Sequence, residues 1–370
     1  MKKITRRRFM KETMVMGTGM IALPAFLSCD TQAEQRSIQP ASKIVTHPNV
    51  DNLRVVSLAD PSMTIDQIPV STWVDQEKVV AKDKVWENID RLACGLVETG
   101  DPGEAWRTIF LKPPKKSWGD TIVAIKTNHI AQQHTRSAVM SKICHTLTDI
   151  LGVEPANIHI YDACHGKTLS TDTPFKGLPD GCRIENTWGG SSTPTPIPAP
   201  WKNGTKKAGC LKHLVNGSVD ILINISMCKG HSLQFGGFTM TMKNHFGTFS
   251  PREAHGGGSE ADYMYAINRT PEILGEMDQK IGKVLFPRQQ LCLVDALWAS
   301  KQGPQGNPSA QPNFLAMGVL SPIVDYQLAT KFRGLKMGWK PEMASTDRML
   351  AEFGYKKEDL PNGGELIEIS

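Results

Sequence analysis

Signatures that would identify common chemistries are missing from this chain of 370 residues. There is no GxGxxG, so the glycine-rich turn that cradles a dinucleotide pyrophosphate is not encoded. Residues 165–168 read HGKT, like the end of a P-loop, but the first glycine of that motif would fall where Tyr161 stands. None of the eight cysteines pairs at CxxC spacing, which leaves a ferredoxin-type cluster without its ligand set. Long hydrophobic runs are missing as well. The apolar stretch 13–27 contains Gly17 and Gly19 and falls short of the ~20 residues that span a bilayer.

An excess of charge is missing from most of the chain. The formal charge is +5, yet residues 1–28 hold six basic side chains (Lys2, Lys3, Arg6, Arg7, Arg8, Lys11) against Glu12 alone. Of the 42 basic and 37 acidic residues in the whole chain, 36 of each remain beyond that segment. A balanced body argues against nucleic acid or a large anionic surface as partner, so any positive site must be local.

The N-terminus carries a separate message. TRRRFMK at 5–11 has the twin-arginine pair Arg6 and Arg7, with Phe9 as the apolar follower, and resembles a signal read by the twin-arginine translocase. An ordinary arginine-rich secretory signal would equally mean export, to the periplasm or cell envelope. LSC ending at Cys29 fits a lipid-attachment site as well as it fits plain cleavage nearby. A polar tether follows, so any membrane contact of the exported protein would run through that lipid alone. Cys164 with Cys182 is one disulfide an oxidising compartment would permit, although pairing does not follow from sequence.

The remaining chain alternates between strand and helix patterns. Val85, Ile89, Leu92 and Leu96 make a helical stripe. Residues 121–127 read as a buried strand, 135–151 as an amphipathic helix and 157–161 as a second strand, a unit that implies a parallel pair. Further strands are expected at 221–225, 290–294 and 366–369, and a late helix at 344–353. The predicted fold class is α/β, a mostly parallel or mixed central sheet flanked by helices.

Polar residues collect at the strand ends. Lys126 and Asn128 end the first strand, Asp162 the second, Lys229 and His231 follow the third, and Asp295 ends the fourth. In a parallel sheet these ends share one edge, where open α/β sheets place ligands. Residues 238–246 fit a short helix with Thr239 and Lys243 on one face and Asn244 beside them. Lys126, Lys229 and Lys243 favour an anionic ligand, a carboxylate or phosphate, and a crowded buried lysine would serve as base or Schiff-base nucleophile. Lys229, His231 and Lys243 are the candidate catalytic residues, and Lys126, Asn128, Thr239 and Asn244 the candidate substrate contacts. Asp162 and Asp295 are candidate ligands for a divalent metal. Cys210 with His213 and Cys228 with His231 have CxxH spacing, a weaker basis for structural zinc than for cysteines that pack as small apolar residues. Two loops, 191–200 and 255–260, are candidates to cover the site.

The pattern Lys229-x-His231, then Thr239-x-x-x-Lys243-Asn244-x-x-Gly247, is similar to the signature of the family known as domain of unknown function 362. VAIKTN at 123–128, LVDALWA at 293–299 and SPIVDYQLATKFRG at 321–334 resemble the same family in the same order. Ser321 replaces the acidic residue usual before the proline of the last stretch, so no acid role is carried over to it. The implied organisation is an export signal at 1–29, a tether at 30–48 and one α/β domain at 49–370. The family label brings no reaction, and the residues point to an exported enzyme acting on a small anionic substrate, with metal assistance as one route. A non-catalytic anion-binding lipoprotein and an accessory factor for an exported redox enzyme are the alternatives.

Overall fold

The computed structural model describes residues 42–163, 175–188, 192–197, 206–249, 260–278, 283–361 and 365–369. The export signal, Cys29, most of the tether, HGKT, Cys164, residues 255–259 and the ends of the 191–200 loop lie outside them.

Branched apolar residues in short runs build an eight-stranded sheet. In chain order its strands are β1 (Val56–Ala59), β2 (Val123–Lys126), β3 (Ile158–Asp162), β4 (Arg183–Asn186), β5 (Ile221–Met227), β6 (Gln289–Ala296), β7 (Phe314–Gly318) and β8 (Ile367–Glu368). Their order across the sheet is β8-β1-β7-β6-β5-β2-β3-β4. Only β7 runs against its neighbours. The fold is therefore α/β with a mixed, mostly parallel sheet. Register sets Ile125 beside both Ile160 and Ile223, so the ends of β2, β3 and β5 lie along one edge.

Alternation along the strands divides the core in two. Val123, Ile125, Ile158, Ile160, Ile221, Ile223, Ile225, Leu291 and Leu293 face helices Lys82–Val97, Pro102–Ile109 and Ser137–His145. Ala124, Tyr161, Leu222, Cys292 and Val294 face helices Glu260–Ile267, Ser321–Gln327 and Met343–Ala351. The Val85, Ile89, Leu92 and Leu96 stripe is fully buried on the first face. The helix expected at 135–151 starts at Ser137 and ends in a wider π turn, Thr146–Leu151, closed by Gly152 in the left-handed conformation.

One expected element forms differently. The helix at 238–246 is confined to Thr241–Asn244, and Phe238–Thr239 instead pairs antiparallel with Lys229–Gly230. Gly236 and Gly237, at φ of 83° and 85°, turn the chain back so that Thr239 lies opposite Lys229. Met240, at φ −144° and ψ −127°, is not helical, so Thr239 and Lys243 share no helix face.

Candidate functional site

At the carboxyl edge of β2, β3 and β5 the chain leaves a cavity of about 600 Å³. Lys126, Asn128, Asp162, Lys229, His231, Thr239, Lys243 and Asn244 all line it, brought together from segments up to 118 residues apart. Asp295 does not line it.

Lys126 follows Ala124 onto the second face of the sheet and is buried. Its Nζ donates to Asp162 Oδ1 at 2.6 Å, to the Thr127 carbonyl and to Asn244 Oδ1 at 3.2 Å. Asp162 Oδ1 also accepts from the Ala163 N–H at 2.7 Å, and Oδ2 from the His129 N–H at 2.6 Å. Gly247 lies against this pair: a Cβ there would overlap Asp162 Oδ1 and Lys126 Cε. Asn244 is held from below, its Nδ2 donating to Asn224 Oδ1 at 2.8 Å and to the Ile225 carbonyl at 3.1 Å. Asn128 Nδ2 donates to Asn244 Oδ1 at 3.1 Å, and its Oδ1 accepts from Lys229 Nζ. The two asparagines thus link Lys126 and Lys229 through one polar network.

Two further lysines differ from Lys126: among the described residues, neither Lys229 nor Lys243 forms an ion pair with a carboxylate. Lys229 is fully buried, and burial lowers its pKa to about 7, with the charges of Arg136 and Lys126 adding to the effect against the opposing pull of Asp162. Lys243 is also brought to about 7 by burial, with Glu260 opposing and Lys126 reinforcing. Its Nζ rests over the Phe246 ring, 3.2 Å from the centroid, and 5.0 Å from that of Phe235. The short helix carrying Lys243 is positioned by buried Asp325, which accepts from the N–H groups of Thr241 and Met242 at 2.8 and 2.9 Å. Burial pushes the Asp325 pKa up to about 6. His231 is half-buried at the mouth; its Nδ1 accepts from the Ser232 N–H at 2.8 Å and its ring meets Phe235 edge-on at 4.7 Å.

The two aspartates do not form one metal site. Asp295 alternates with Leu291 and Leu293 onto the first face, opposite to Lys126, and is fully buried there. It accepts from the Arg136 N–H at 2.8 Å and from the Leu297 N–H at 3.2 Å, with the Arg136 guanidinium 3.7 Å away. Nor do the two CxxH pairs converge: among the described residues, the sole group of three or more His, Cys, Asp or Glu side chains close enough to share an ion contains neither cysteine. Cys210 and Cys228 are instead buried, and burial raises both thiol pKa values. Cys182 meets the thiol of Cys144, and Cys164, its candidate disulfide partner, lies outside the described residues.

Several lining residues had no signal in the motifs: His129, Trp188, Pro304 and Gln305, whereas Glu260 ends the 255–260 loop expected to cover the site. Asn224 was visible as the one polar residue in the run 221–225, and its buried network with Thr241, His245 and Gln289 is what orients Asn244. Ser321, where an acid was expected of relatives, is buried and accepts from Gln289 Nε2 at 3.0 Å, outside the cavity.

Residues 123–327, more than half of the chain, match the family model described as a domain of unknown function, DUF362. This chain belongs to the DUF362 family. All six residues of its Lys-x-His and Thr-x-x-x-Lys-Asn-x-x-Gly pattern line the cavity, Gly247 included. β2, β3, β5 and β6, with the Lys-Asn helix, fall inside the DUF362 segment, whereas β1 and β8 lie outside it. No curated protein and no solved structure matches the chain.

Proposed function

We propose that the protein is an exported enzyme that acts on a small carboxylate or phosphate, with Lys229 as the proton acceptor or carbonyl nucleophile. The observation that carries this reading is the convergence of three buried or half-buried lysines on one cavity with, among the described residues, a single close ion pair, Lys126 with Asp162. Lys229 and Lys243, poised between ammonium and amine at pH 7, can each take up a proton as an anion enters, because the anion favours the ammonium form. The same poise leaves a share of neutral amine for attack on a carbonyl, a reaction that expels water and forms a Schiff base. Asn128 and Thr239 add polar groups beside Lys229, and His231 at the mouth is a candidate proton carrier. A metal-assisted route is less supported, because both Asp162 oxygens already accept hydrogen bonds and Asp295 is on the other face.

Export by the twin-arginine route belongs to the same proposal and rests on Arg6, Arg7 and Phe9. Fractionating cells that carry Arg6→Lys with Arg7→Lys tests it, since retention inside the cell is expected.

The site is tested by calorimetric titration with inorganic phosphate and by borohydride treatment with pyruvate as a carbonyl probe. Saturable binding, or a reduced adduct mapped to Lys229, is expected, and Lys229→Met and Lys243→Met should each remove it. Binding without turnover across substrate screens would move the reading to an anion-binding lipoprotein. If neither probe binds, or both variants behave as wild type, the lysine cavity is not the functional site.

A further inference from the structure

A second cluster lies away from the lysine cavity, against the outer edge of the sheet. His159 on β3, Glu185 on the edge strand β4 and His213 in the short helix Lys212–Val215 each offer a ligand atom, all within 4.8 Å of one another. His159 is 4% exposed at its side chain and its Nδ1 lies 2.6 Å from Glu185 Oε1. The two imidazole rings face each other with centroids 4.7 Å apart at 47°. Among the described residues no hydrogen bond engages the His213 ring, although the ring is held against His159. His159 precedes Asp162 by three residues on the same strand, so the cluster lies roughly 10 Å from the cavity along the rise of β3.

From this geometry we infer that His159, Glu185 and His213 form a binding site for a divalent transition ion of the zinc type. Two imidazoles and one carboxylate suit Zn²⁺ or Co²⁺ over Mg²⁺ or Ca²⁺, which take oxygen ligands in larger number. Ligand atoms around a tetrahedral zinc sit ~3.3 Å apart, from bonds of ~2.0–2.1 Å. The ion would therefore open the 2.6 Å His159–Glu185 contact slightly and draw in the wider separations. That adjustment is small because Glu185 and His213 are both partly exposed, on an edge strand and a single helical turn. Three protein ligands leave the fourth position to water. The site joins three separate pieces of chain, so ion binding fastens β4 and the Lys212–Val215 turn to β3.

The test uses the full chain, freed of metal by a chelator that is then removed, and titrated with Co²⁺ and with Zn²⁺. One equivalent is expected to bind with the visible absorption of a low-symmetry Co²⁺ site and with a rise in Tm, since the ion binds the folded form. His213→Ala removes a partly exposed side chain, should leave the fold intact, and should weaken the affinity at least ~100-fold, beyond what loss of an outer-shell partner produces. Glu185→Gln should act in the same direction, and far-ultraviolet circular dichroism confirms that both variants are folded. The inference is overturned if no stoichiometric ion binds, if His213→Ala binds as wild type does, or if the ion is lost only on Asp162→Asn, which would place it in the lysine cavity. Phosphate binding is measured on the same variants; its survival in His213→Ala separates this site from the lysine site.

Discussion

Lys229→Met tests the electrostatic reading of the cavity most directly. In the unfolded chain this lysine titrates near its ordinary 10.5, whereas in the fold burial brings it to about 7. Between those values the unfolded chain binds more protons, so stability rises with pH across that window and the unfavourable contribution is complete below it. At 1.36 kcal/mol per pKa unit, holding Lys229 in place lowers stability by about 4 kcal/mol at pH 7 and about 2 kcal/mol at pH 9. Met keeps the buried methylenes and removes the titration, but it leaves Asn128 Oδ1 without the lysine donor, a loss on the order of 1–2 kcal/mol. The variant should therefore be more stable than wild type at pH 7 by roughly 2 kcal/mol and lose that advantage by pH 9. Urea denaturation of both proteins at several pH values reads this, and the difference between them cancels titrating groups that do not act on Lys229, Lys243 included. A ¹³Cε lysine resonance titrating near pH 7, missing in the variant, would give the assignment independently. Equal pH slopes for the two proteins, or a Lys229 resonance that titrates near its ordinary value, would refute the argument that burial controls this amine.

Gly247→Ala should lower stability by about 1–3 kcal/mol, as overpacking does, and abolish phosphate binding, because the added methyl overlaps the Lys126–Asp162 pair; calorimetry and thermal melting check both. Asp295→Ala strands Arg136, fully buried with its guanidinium over Trp298. It should cost about 3–5 kcal/mol in urea denaturation, the penalty for leaving a buried charge without its partner. Asp325→Asn places an amide donor opposite the N–H of Thr241 or Met242 and should destabilise by about 1–3 kcal/mol at pH 7. Because the Asp325 pKa is raised to about 6, wild-type stability should also fall as pH rises from 4 to 6, and this slope should be missing from the Asn variant.

The repeating apolar patterns were enough to determine the class of fold and most of its parallel strands. Ile158–Asp162, Ile221–Met227 and Gln289–Ala296 are buried on both faces and each holds a short cluster of Ile, Leu or Val, and helix Lys82–Val97 shows its stripe at helical spacing. Polar residues at strand ends were legible for the same reason, since a polar side chain closing an apolar run stands out. Strands Val56–Ala59 and Phe314–Gly318 were not among the strands expected, although both are largely apolar. The second is the antiparallel member, and direction is decided by pairing rather than by the residues of the strand itself. Thr239 shows the limit locally, because positive φ at Gly236 and Gly237 turned a helix-compatible segment into a partner for Lys229. Asp295 shows it across the sheet. The sequence by itself placed it at the same edge as Lys126 and Asp162, and only the tertiary structure decided its face. Side chains alternate along a strand, so sharing an edge does not mean sharing a side. The amine of Lys229 is the same case in energy: its identity is in the sequence, but its pKa depends on water being excluded by segments a hundred residues away.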